Sequence, residues 1–329
     1  MKRFFALLLL TVLFSSCDDG DLTQVTFEFD DTVAKACGTG TSDFFIFKTQ
    51  DQRALIIQLP ESSFKNLLTA DLTTQPTPLV INGSSIRLIY REYSGAVTES
   101  TICSVVPAAD PVVVQEREAT EGKISITTTA LKSVADANGA TRITGYLHTL
   151  VFTDLKFDLG DGNNQINEAF TQVTYQTTAT SFTNFAGLTG VFKCGTDASF
   201  LFKFADKQAL VLDLSDADAA FLFSNEAGTK TRLFSDDSTL KHLFYDTTLA
   251  FLSEGYFCSN PTPGTPPIID AFTSVNGVAG VSGSIEVTSL NSDNGFKHTI
   301  VLKNVRLAKG SLYRELGNEY IFGEIETTN

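Results

Sequence analysis

Short apolar runs separated by polar turns recur along most of the chain, and this pattern predicts β-strands. An apolar run at residues 44–47 and another at residues 54–59 flank a polar turn at residues 49–52. The arrangement returns in the second half, where apolar runs at residues 200–204 and 209–214 are again separated by a short polar turn. Two such runs joined by a turn are typical of a β-hairpin, so one hairpin is predicted in each half.

Other segments of the same character extend this prediction to most of the chain. Further strands are predicted at residues 85–90, 101–106, 123–129 and 141–157. Residues 64–68 and 216–223 instead have the pattern of short helical turns. The enrichment in Thr, Val, Ile and Phe over Met and Glu also favours strands. We therefore expect an all-β protein.

The chain also repeats itself. Residues 148–157 match residues 298–307, and the match continues without a gap from residues 170–178 to residues 320–328. Few of these positions are identical, but many substitutions preserve the size and polarity of the side chain. The match therefore indicates an internal duplication.

A chain of 329 residues is long enough for two domains, each with its own hydrophobic core. We place repeat 1 at residues 23–178 and repeat 2 at residues 179–329. A proline-rich segment follows the second cysteine of each repeat, at residues 107–111 and 261–267, and proline interrupts sheet pairing there. Short strands linked by Gly, Asn, Asp and Pro predict two tandem antiparallel β-sandwich domains.

Apart from Cys17, the chain contains four cysteines. Cys37 and Cys103 are separated by nearly the same length of chain as Cys194 and Cys258. Of the three connectivities, this equal spacing favours one disulfide in each repeat, Cys37–Cys103 and Cys194–Cys258. A zinc site is the alternative, but the chain has no Cys-x-x-Cys motif and no nearby pair of histidines.

The N-terminus has the three parts of an export signal. Lys2 and Arg3 precede a run at residues 4–14 that is apolar except for one threonine, and the small residues 15–16 stand before Cys17. The apolar run is too short to span a bilayer, so a transmembrane anchor is the weaker interpretation. The segment resembles a bacterial lipoprotein signal. The resemblance implies cleavage before Cys17, which becomes the lipidated first residue of the mature chain.

The residues after the lipidated cysteine are acidic. Residues 1–16 are then the signal peptide, and residues 17–22 are the lipidated cysteine and an acidic tether. Asp18, Asp19 and Asp21 resemble the surface-export signal of lipoproteins in the Bacteroidota. The resemblance implies an outer-membrane lipoprotein that faces outward; an ordinary solvated linker is the alternative.

The charge of the chain narrows the class of partner. Its formal net charge is −14, which disfavours binding to nucleic acid or to anionic headgroups. An acidic shell that keeps the protein soluble explains this charge better than a patch made for a basic partner. The chain has no Trp, the commonest platform for stacking a sugar ring, and this weakens the case for glycan binding.

Two of the three histidines, His148 and His298, occupy matching positions in the repeated segment. Each stands alone among apolar neighbours in a predicted strand, which favours a structural histidine bonded to a backbone carbonyl or a loop carboxylate over a catalytic or metal-binding one. His242 has no counterpart in repeat 1 and is expected to be exposed.

One polar loop has the composition of a weak calcium site. Asp158, Asp161 and Asn163 place carboxylate and amide oxygens around a glycine turn, as calcium requires. The spacing differs from that of an EF-hand loop, and the matching stretch of repeat 2 lacks both aspartates. An ordinary Asp/Asn/Gly turn is therefore the preferred interpretation.

No motif selects a reaction. The chain lacks a Gly-x-Ser-x-Gly motif, and nothing singles out a pair of carboxylates among its acidic residues. We expect a non-catalytic binding or scaffold subunit without a cofactor, accessory to an outer-membrane barrel or to another lipoprotein. In layout the chain resembles the tandem-domain surface lipoproteins that accompany outer-membrane glycan-uptake systems in the Bacteroidota. A glycan-binding or calcium-dependent adhesin is the first alternative, and a β-sandwich hydrolase is the second.

Overall fold

The computed structural model describes residues 29–106, 109–158, 164–166, 172–188, 190–196 and 198–328, without the side chains of residues 158, 164–166 and 186. The predicted signal peptide, Cys17 and the acidic tether with Asp18, Asp19 and Asp21 lie outside these residues. Among the described residues, no helix is long and apolar enough to cross a membrane.

The described residues are mostly strand. The first half contains β1 Lys35–Cys37, β2 Phe45–Gln50, β3 Arg53–Gln58, β4 Leu79–Val80, β5 Arg87–Tyr93, β6 Val113–Lys132, β7 Ile143–Asp158, β8 Asn164–Ile166 and β9 Gln172–Thr178. The second half contains β10 Phe192–Lys193, β11 Phe200–Ala205, β12 Gln208–Asp213, β13 Gly228–Leu233, β14 Thr239–Tyr245, β15 Ile268–Ser274, β16 Ser284–Ser292, β17 Gly295–Lys303, β18 Arg306–Lys309, β19 Leu312–Glu315 and β20 Glu319–Thr328. The helices are α1 Glu99–Cys103, α2 Asp216–Leu222 and α3 Glu254–Phe257, with 3-10 turns at Glu61–Ser63, Thr69–Asp71 and Phe185–Gly187.

The predicted hairpins are present. β2 pairs antiparallel with β3, and β11 with β12. Each turn contains an aspartate with a positive φ, 54° at Asp51 and 52° at Asp206, a conformation that Asp adopts more readily than most residues. The alternation of apolar and polar residues therefore placed both hairpins correctly.

Two local predictions are wrong. The segment predicted as a strand at residues 101–106 begins inside α1, because Thr98 caps that helix by accepting a hydrogen bond from Thr101 N. Residues 64–68 contain no helical turn; 3-10 turns stand on either side of them. The helix predicted at residues 216–223 is confirmed as α2, with Ser215 as its capping residue.

The strands form three sheets with antiparallel pairings. The nine-stranded sheet has the order β1-β2-β3-β5-β6-β7-β8, with β4 paired to β6 and β9 paired to β7. The seven-stranded sheet has the order β10-β11-β12-β14-β15-β18-β19. The four-stranded sheet has the order β13-β16-β17-β20. The prediction of a protein built mainly from antiparallel strands is confirmed.

The described residues form two compact units. Unit 1 lies within Met1–Ser63, Thr77–Ser125 and Leu150–Thr174, and unit 2 lies within Phe64–Pro76, Ile126–Thr149 and Tyr175–Asn329. Unit 2 thus contains residues of both predicted repeats. Strands β6, β7 and β9 contribute residues to each unit.

Unit 2 has one large core to which two sheets contribute. Leu212 and Leu240 come from the seven-stranded sheet, while Val287 and Ile300 come from the four-stranded sheet, and all four are buried in the same cluster. Burying a side chain of this size contributes about 1.5–3 kcal/mol. The two sheets are therefore held together by side chains that leave water on folding.

Both predicted disulfides are present. Cys37 is bonded to Cys103, 66 residues later, and Cys194 to Cys258, 64 residues later. The first bridge belongs to unit 1 and the second to unit 2. In each case the second cysteine lies at the end of a short helix, α1 or α3, and the first cysteine lies at the end of the first strand of its sheet or directly after it.

Candidate functional site

His148 is fully buried in β7. Its Nδ1 is 2.9 Å from Thr128 Oγ1, and its Nε2 is 2.9 Å from Thr177 Oγ1, so the ring bridges hydroxyls of the two flanking strands. Burial lowers the pKa of His148 to about 4, because the imidazolium would lose its hydration. The ring is therefore neutral at pH 7, with both nitrogens engaged.

His298 has the same arrangement in β17. Its Nδ1 is 2.7 Å from Ser289 Oγ, and its Nε2 is 2.8 Å from Thr327 Oγ1. Burial, and after it the charge of Lys193, lowers the pKa of His298. The expectation of a carbonyl or carboxylate partner is wrong for both histidines, because hydroxyls, which donate and accept equally well, take that place.

The expected exposure of His242 is wrong. It lies in β14, in the interior of the seven-stranded sheet, and is fully buried. Arg314 Nη2 donates to its Nδ1 over 2.6 Å, so the proton is on Nε2 and is donated to Gln208 Oε1 over 2.8 Å. Burial, and then the charge of Arg314, lowers the pKa of His242 to about 3. The ring is a neutral acceptor for an arginine.

Arg314 is a charged residue that is nearly completely buried. Only 8% of its surface is exposed, and its guanidinium lies 4.3 Å from the centre of the Phe182 ring. Burial lowers the pKa of Arg314 to about 10, so the group remains a cation at neutral pH. Its Nε has no hydrogen-bond partner among the described residues. No carboxylate of the described residues forms an ion pair with it.

Arg314 lines a cavity of about 520 Å³ within unit 2. Phe182, Leu210 and Leu316 form apolar parts of the wall. Exposed Arg142 also lines the cavity, and its guanidinium has no ion pair among the described residues. A volume of this size is in the range of small-molecule sites, about 300–1,000 Å³.

Three carboxylates also line this cavity, and each has another partner. Glu315 is 2.8 Å from Arg306, and Glu319 is 3.5 Å from Lys303. Asp136 Oδ1 accepts the backbone N–H groups of residues 138 and 140. None of these three carboxylates forms an ion pair with the guanidinium of Arg314.

The sequence pattern also did not predict the burial of two lysines, Lys203 and Lys48. Lys203 donates to Leu188 O over 2.9 Å and to Phe185 O over 3.2 Å, and burial lowers its pKa to about 8. Lys48 donates to the backbone carbonyl of Asp30, and burial lowers its pKa as well. Both stand in strands whose neighbours are buried aromatic and aliphatic residues, where a lysine is normally read as an exposed position.

The predicted calcium residues are not brought together by any described geometry. Asp161 and Asn163 lie outside the described residues, and Asp158 is the last residue of β7, with no side chain described. Among the described residues, no three His, Cys, Asp or Glu side chains are grouped closely enough to hold a metal ion. The calcium site stays a prediction.

A sequence signal for Arg314 does exist. Leu312, Arg314 and Leu316 alternate with more exposed residues, so a strand there places the arginine on the same face as two buried leucines. The same argument applies to His242 between Leu240 and Phe244. Period-two alternation, applied to polar residues, would have placed both on the buried face of their strands.

Comparison of the chain with protein-family models, with curated proteins and with solved structures found no match.

Proposed function

We propose that the protein is a lipid-anchored outer-membrane lipoprotein of the Bacteroidota type that faces outward and acts as a non-catalytic binding or scaffold subunit. Cys17 carries the lipid, and Asp18, Asp19 and Asp21 direct the protein to the surface. Its partner is a second protein of the same membrane, either a barrel or another lipoprotein.

We also propose that the chain arose by duplication of one β-sandwich domain. The hydrogen bonds of His148 and His298 agree, and both rings contact hydroxyls on either side. Asp154 and Asn304, six residues after each histidine, have φ values of 56° and 50°. The shared core of the seven-stranded and four-stranded sheets in unit 2 supports the sandwich arrangement.

The binding function rests on one recurring observation: exposed aliphatic residues at the start of matching strands. Tyr93 pairs with Val113 in unit 1, and Tyr245 pairs with Ile268 in unit 2, each next to a shift in register. Val113 and Ile268 are about half exposed, and the residue that follows each is more exposed still. Scattered exposed aliphatics are ordinary, but their return at the same point of both units supports an interaction surface.

Unit 2 carries a larger version of this surface. The loop between β14 and α3 contains Leu249 and Phe251, and each is 85% exposed. Asp246 N donates to Pro267 O over 3.0 Å, which brings the start of this loop to the start of β15 with Ile268 and Ile269. We call Leu249, Phe251, Ile268 and Ile269 the apolar rim. The free energy falls when a protein partner covers exposed aromatic and aliphatic side chains of this kind.

Site-specific crosslinking tests this proposal. A photo-crosslinking amino acid replaces Phe251 or Ile269 in the lipidated protein in its native membrane, and Asn225, which is exposed and outside the apolar rim, serves as the control position. We expect both rim positions to give an adduct with one and the same outer-membrane protein, and the control position to give none. Equal adducts at the control position, or none at either rim position, would disprove the proposal.

The anchor is tested separately. Replacing Cys17 by Ser should release the protein from the membrane fraction, while replacing Asp18, Asp19 and Asp21 by Asn should leave it anchored but protected from protease added to intact cells. Retention of Cys17→Ser in the membrane after a carbonate wash would contradict the lipid anchor. Unchanged protease access in the triple variant would contradict the export signal.

A further inference from the structure

We propose that the cavity beside Arg314 binds a small organic carboxylate whose apolar body packs against Phe182 and the neighbouring aliphatic wall. This proposal concerns a site inside unit 2 and does not depend on the protein-binding function of the apolar rim.

Arg314 is a buried cation without an anionic partner among the described residues. An arginine that is 8% exposed has lost most of its hydration, and a buried charge is costly unless an opposite charge is present. Its partners are the neutral ring of His242, through Nη2, and the face of Phe182. A neutral ring and an aromatic face compensate a cation only in part, so the guanidinium is ready to accept an anion.

A chain of hydrogen bonds from Gln208 through His242 holds Arg314 in place. Gln208 Oε1 accepts from His242 Nε2 over 2.8 Å and from Thr183 N over 2.9 Å, and Gln208 Nε2 donates to Ser181 O over 2.9 Å. This chain of hydrogen bonds fixes the tautomer and the orientation of His242, which in turn holds Nη2 of Arg314. A guanidinium held in this way loses little side-chain entropy when a ligand binds.

The wall of the cavity combines arginines with apolar side chains. Nε of Arg314 is buried and has no hydrogen-bond partner among the described residues, and Arg142, which also lines the cavity, has no ion pair there. The carboxylates in the wall are engaged by other groups, as Glu315 is by Arg306. Phe182, Leu210 and Leu316 are apolar. Two arginines without ion pairs beside an apolar wall favour a carboxylate with an apolar body over a small hydrated anion.

Benzoate is the test ligand, with benzamide as its neutral analogue and inorganic phosphate as an anion without an apolar body. Binding to the full chain is measured by calorimetry and by the shift of the Arg314 Nε–H resonance in ¹⁵N-labelled protein. We expect benzoate to bind at least tenfold more tightly than benzamide or phosphate, and to shift that resonance. Equal binding of benzamide, tighter binding of phosphate, or no shift with benzoate would overturn the proposal.

Variants assign the effect to the arginine. Arg314→Gln keeps an amide donor for His242 but removes the charge, and should weaken benzoate binding by about tenfold to a hundredfold, as expected for a lost charged hydrogen bond. Arg232→Gln, at an arginine of unit 2 paired with Asp218 over 2.9 Å, is the matched control and should bind as the parent does. Benzoate affinity unchanged in Arg314→Gln would refute the site. If that variant does not fold, the comparison of benzoate with benzamide on the parent protein decides.

Discussion

Each disulfide links a short helix to the first strand of a sheet, but the side chains packed around the two disulfides differ. In unit 1 the residues packed around Cys37 and Cys103 are mainly aliphatic: Ile56, Ile89 and Ile102, with Phe45 and Phe47. In unit 2 the residues packed around Cys194 and Cys258 are mainly aromatic: Phe200, Phe202, Phe204, Tyr245, Tyr256 and Phe257. The rings of Phe202 and Phe257 are stacked 4.5 Å apart, and those of Tyr245 and Tyr256 meet edge to face at 5.5 Å.

This difference shows that one framework of strand, helix and disulfide accepts two kinds of packing. Aromatic side chains bury more apolar surface each, and paired rings add about 0.5–1.5 kcal/mol beyond that area. The cluster of unit 2 should therefore depend less on its disulfide than the cluster of unit 1 does. Unit 2 also contains all three histidines of the chain, which gives it a histidine-dependent sensitivity to acid that unit 1 lacks.

The largest difference in stability between the two units is expected in acid. The pKa values of His148 and His242 are lowered to about 4 and about 3, below the value of about 6.5 in an unfolded chain. Between these values the unfolded state binds more protons than the folded state, so stability is present above pH 6.5 and is lost as the pH falls toward 4. The two histidines should together lower the free energy of unfolding of unit 2 by about 4 kcal/mol between pH 6.5 and pH 4.5. The lowered pKa of His298 acts in the same direction.

Urea unfolding at pH 7 and at pH 4.5 measures this loss, and hydrogen-exchange mass spectrometry assigns it to a unit. Protection should fall first in β14 and in residues 143–149 of β7, which carry His242 and His148. His148→Gln, whose amide can bond both hydroxyls without titrating, should show a smaller pH dependence. Earlier loss of protection in β2 and β3 of unit 1 would contradict the assignment.

Removing a disulfide should have the next largest effect. Closing a loop of 66 or 64 residues stabilises a protein by about 4 kcal/mol in the chain-entropy model. Paired replacement of Cys37 and Cys103 by Ser should therefore cost about this much, and the same change at Cys194 and Cys258 should cost a similar amount. The two units should differ in local protection from hydrogen exchange. Strands β1 and β2 should lose more protection than β10 and β11, because the aromatic cluster of unit 2 remains packed. Equal loss in the two units would show that ring packing does not replace the bridge.

These elements could be derived from the sequence to different extents. The hairpins followed from alternating apolar runs, and the disulfides followed from two equal spacings. The helix α1 did not, because a run such as residues 101–106 is too short to distinguish a strand from a helical turn by periodicity. Only the geometry of the cap at Thr98 decides it.

The candidate site was missed for another reason. Arg314 and His242 are polar residues in strands, and polar residues in strands are usually exposed. Their burial depends on a partner distant in sequence, because Arg314 and His242 are 72 residues apart and bond only in the folded chain. Alternation shows which face a residue occupies, but it does not show what lies opposite that face.

Replacing by Ala the residue through which each helix packs, Ile102 of α1 or Phe257 of α3, tests whether aromatic packing stabilises unit 2 more than aliphatic packing stabilises unit 1. Phe257→Ala removes a buried ring from four aromatic neighbours and should cost about 3 kcal/mol or more. Ile102→Ala, at a half-buried residue of unit 1, should cost about 1–2 kcal/mol. Urea unfolding of the two variants gives both values. A larger cost for Ile102→Ala would reverse the comparison.

The smallest effect concerns the caps of the two helices. Thr98 and Thr101 form a reciprocal capping box, whereas Ser253 only accepts a hydrogen bond from Tyr256 N. Replacing an N-cap by Ala typically costs about 1 kcal/mol. Thr98→Ala should reach this value, because α1 packs on its sheet through the half-buried Ile102 rather than through a buried ring, although the disulfide of Cys103 remains.

Ser253→Ala should cost less, because the ring of Phe257 and the bond from Tyr256 Oη to Pro266 O, 3.1 Å long, hold α3 after the cap is lost. Thr98→Ser and Ser253→Thr keep a hydroxyl at the cap and serve as matched controls, which should leave stability nearly unchanged. Unfolding measurements precise to a few tenths of a kcal/mol suffice. An equal cost for both alanine variants would mean that the aromatic cluster does not position α3, and the contrast between the units would then be limited to their cores.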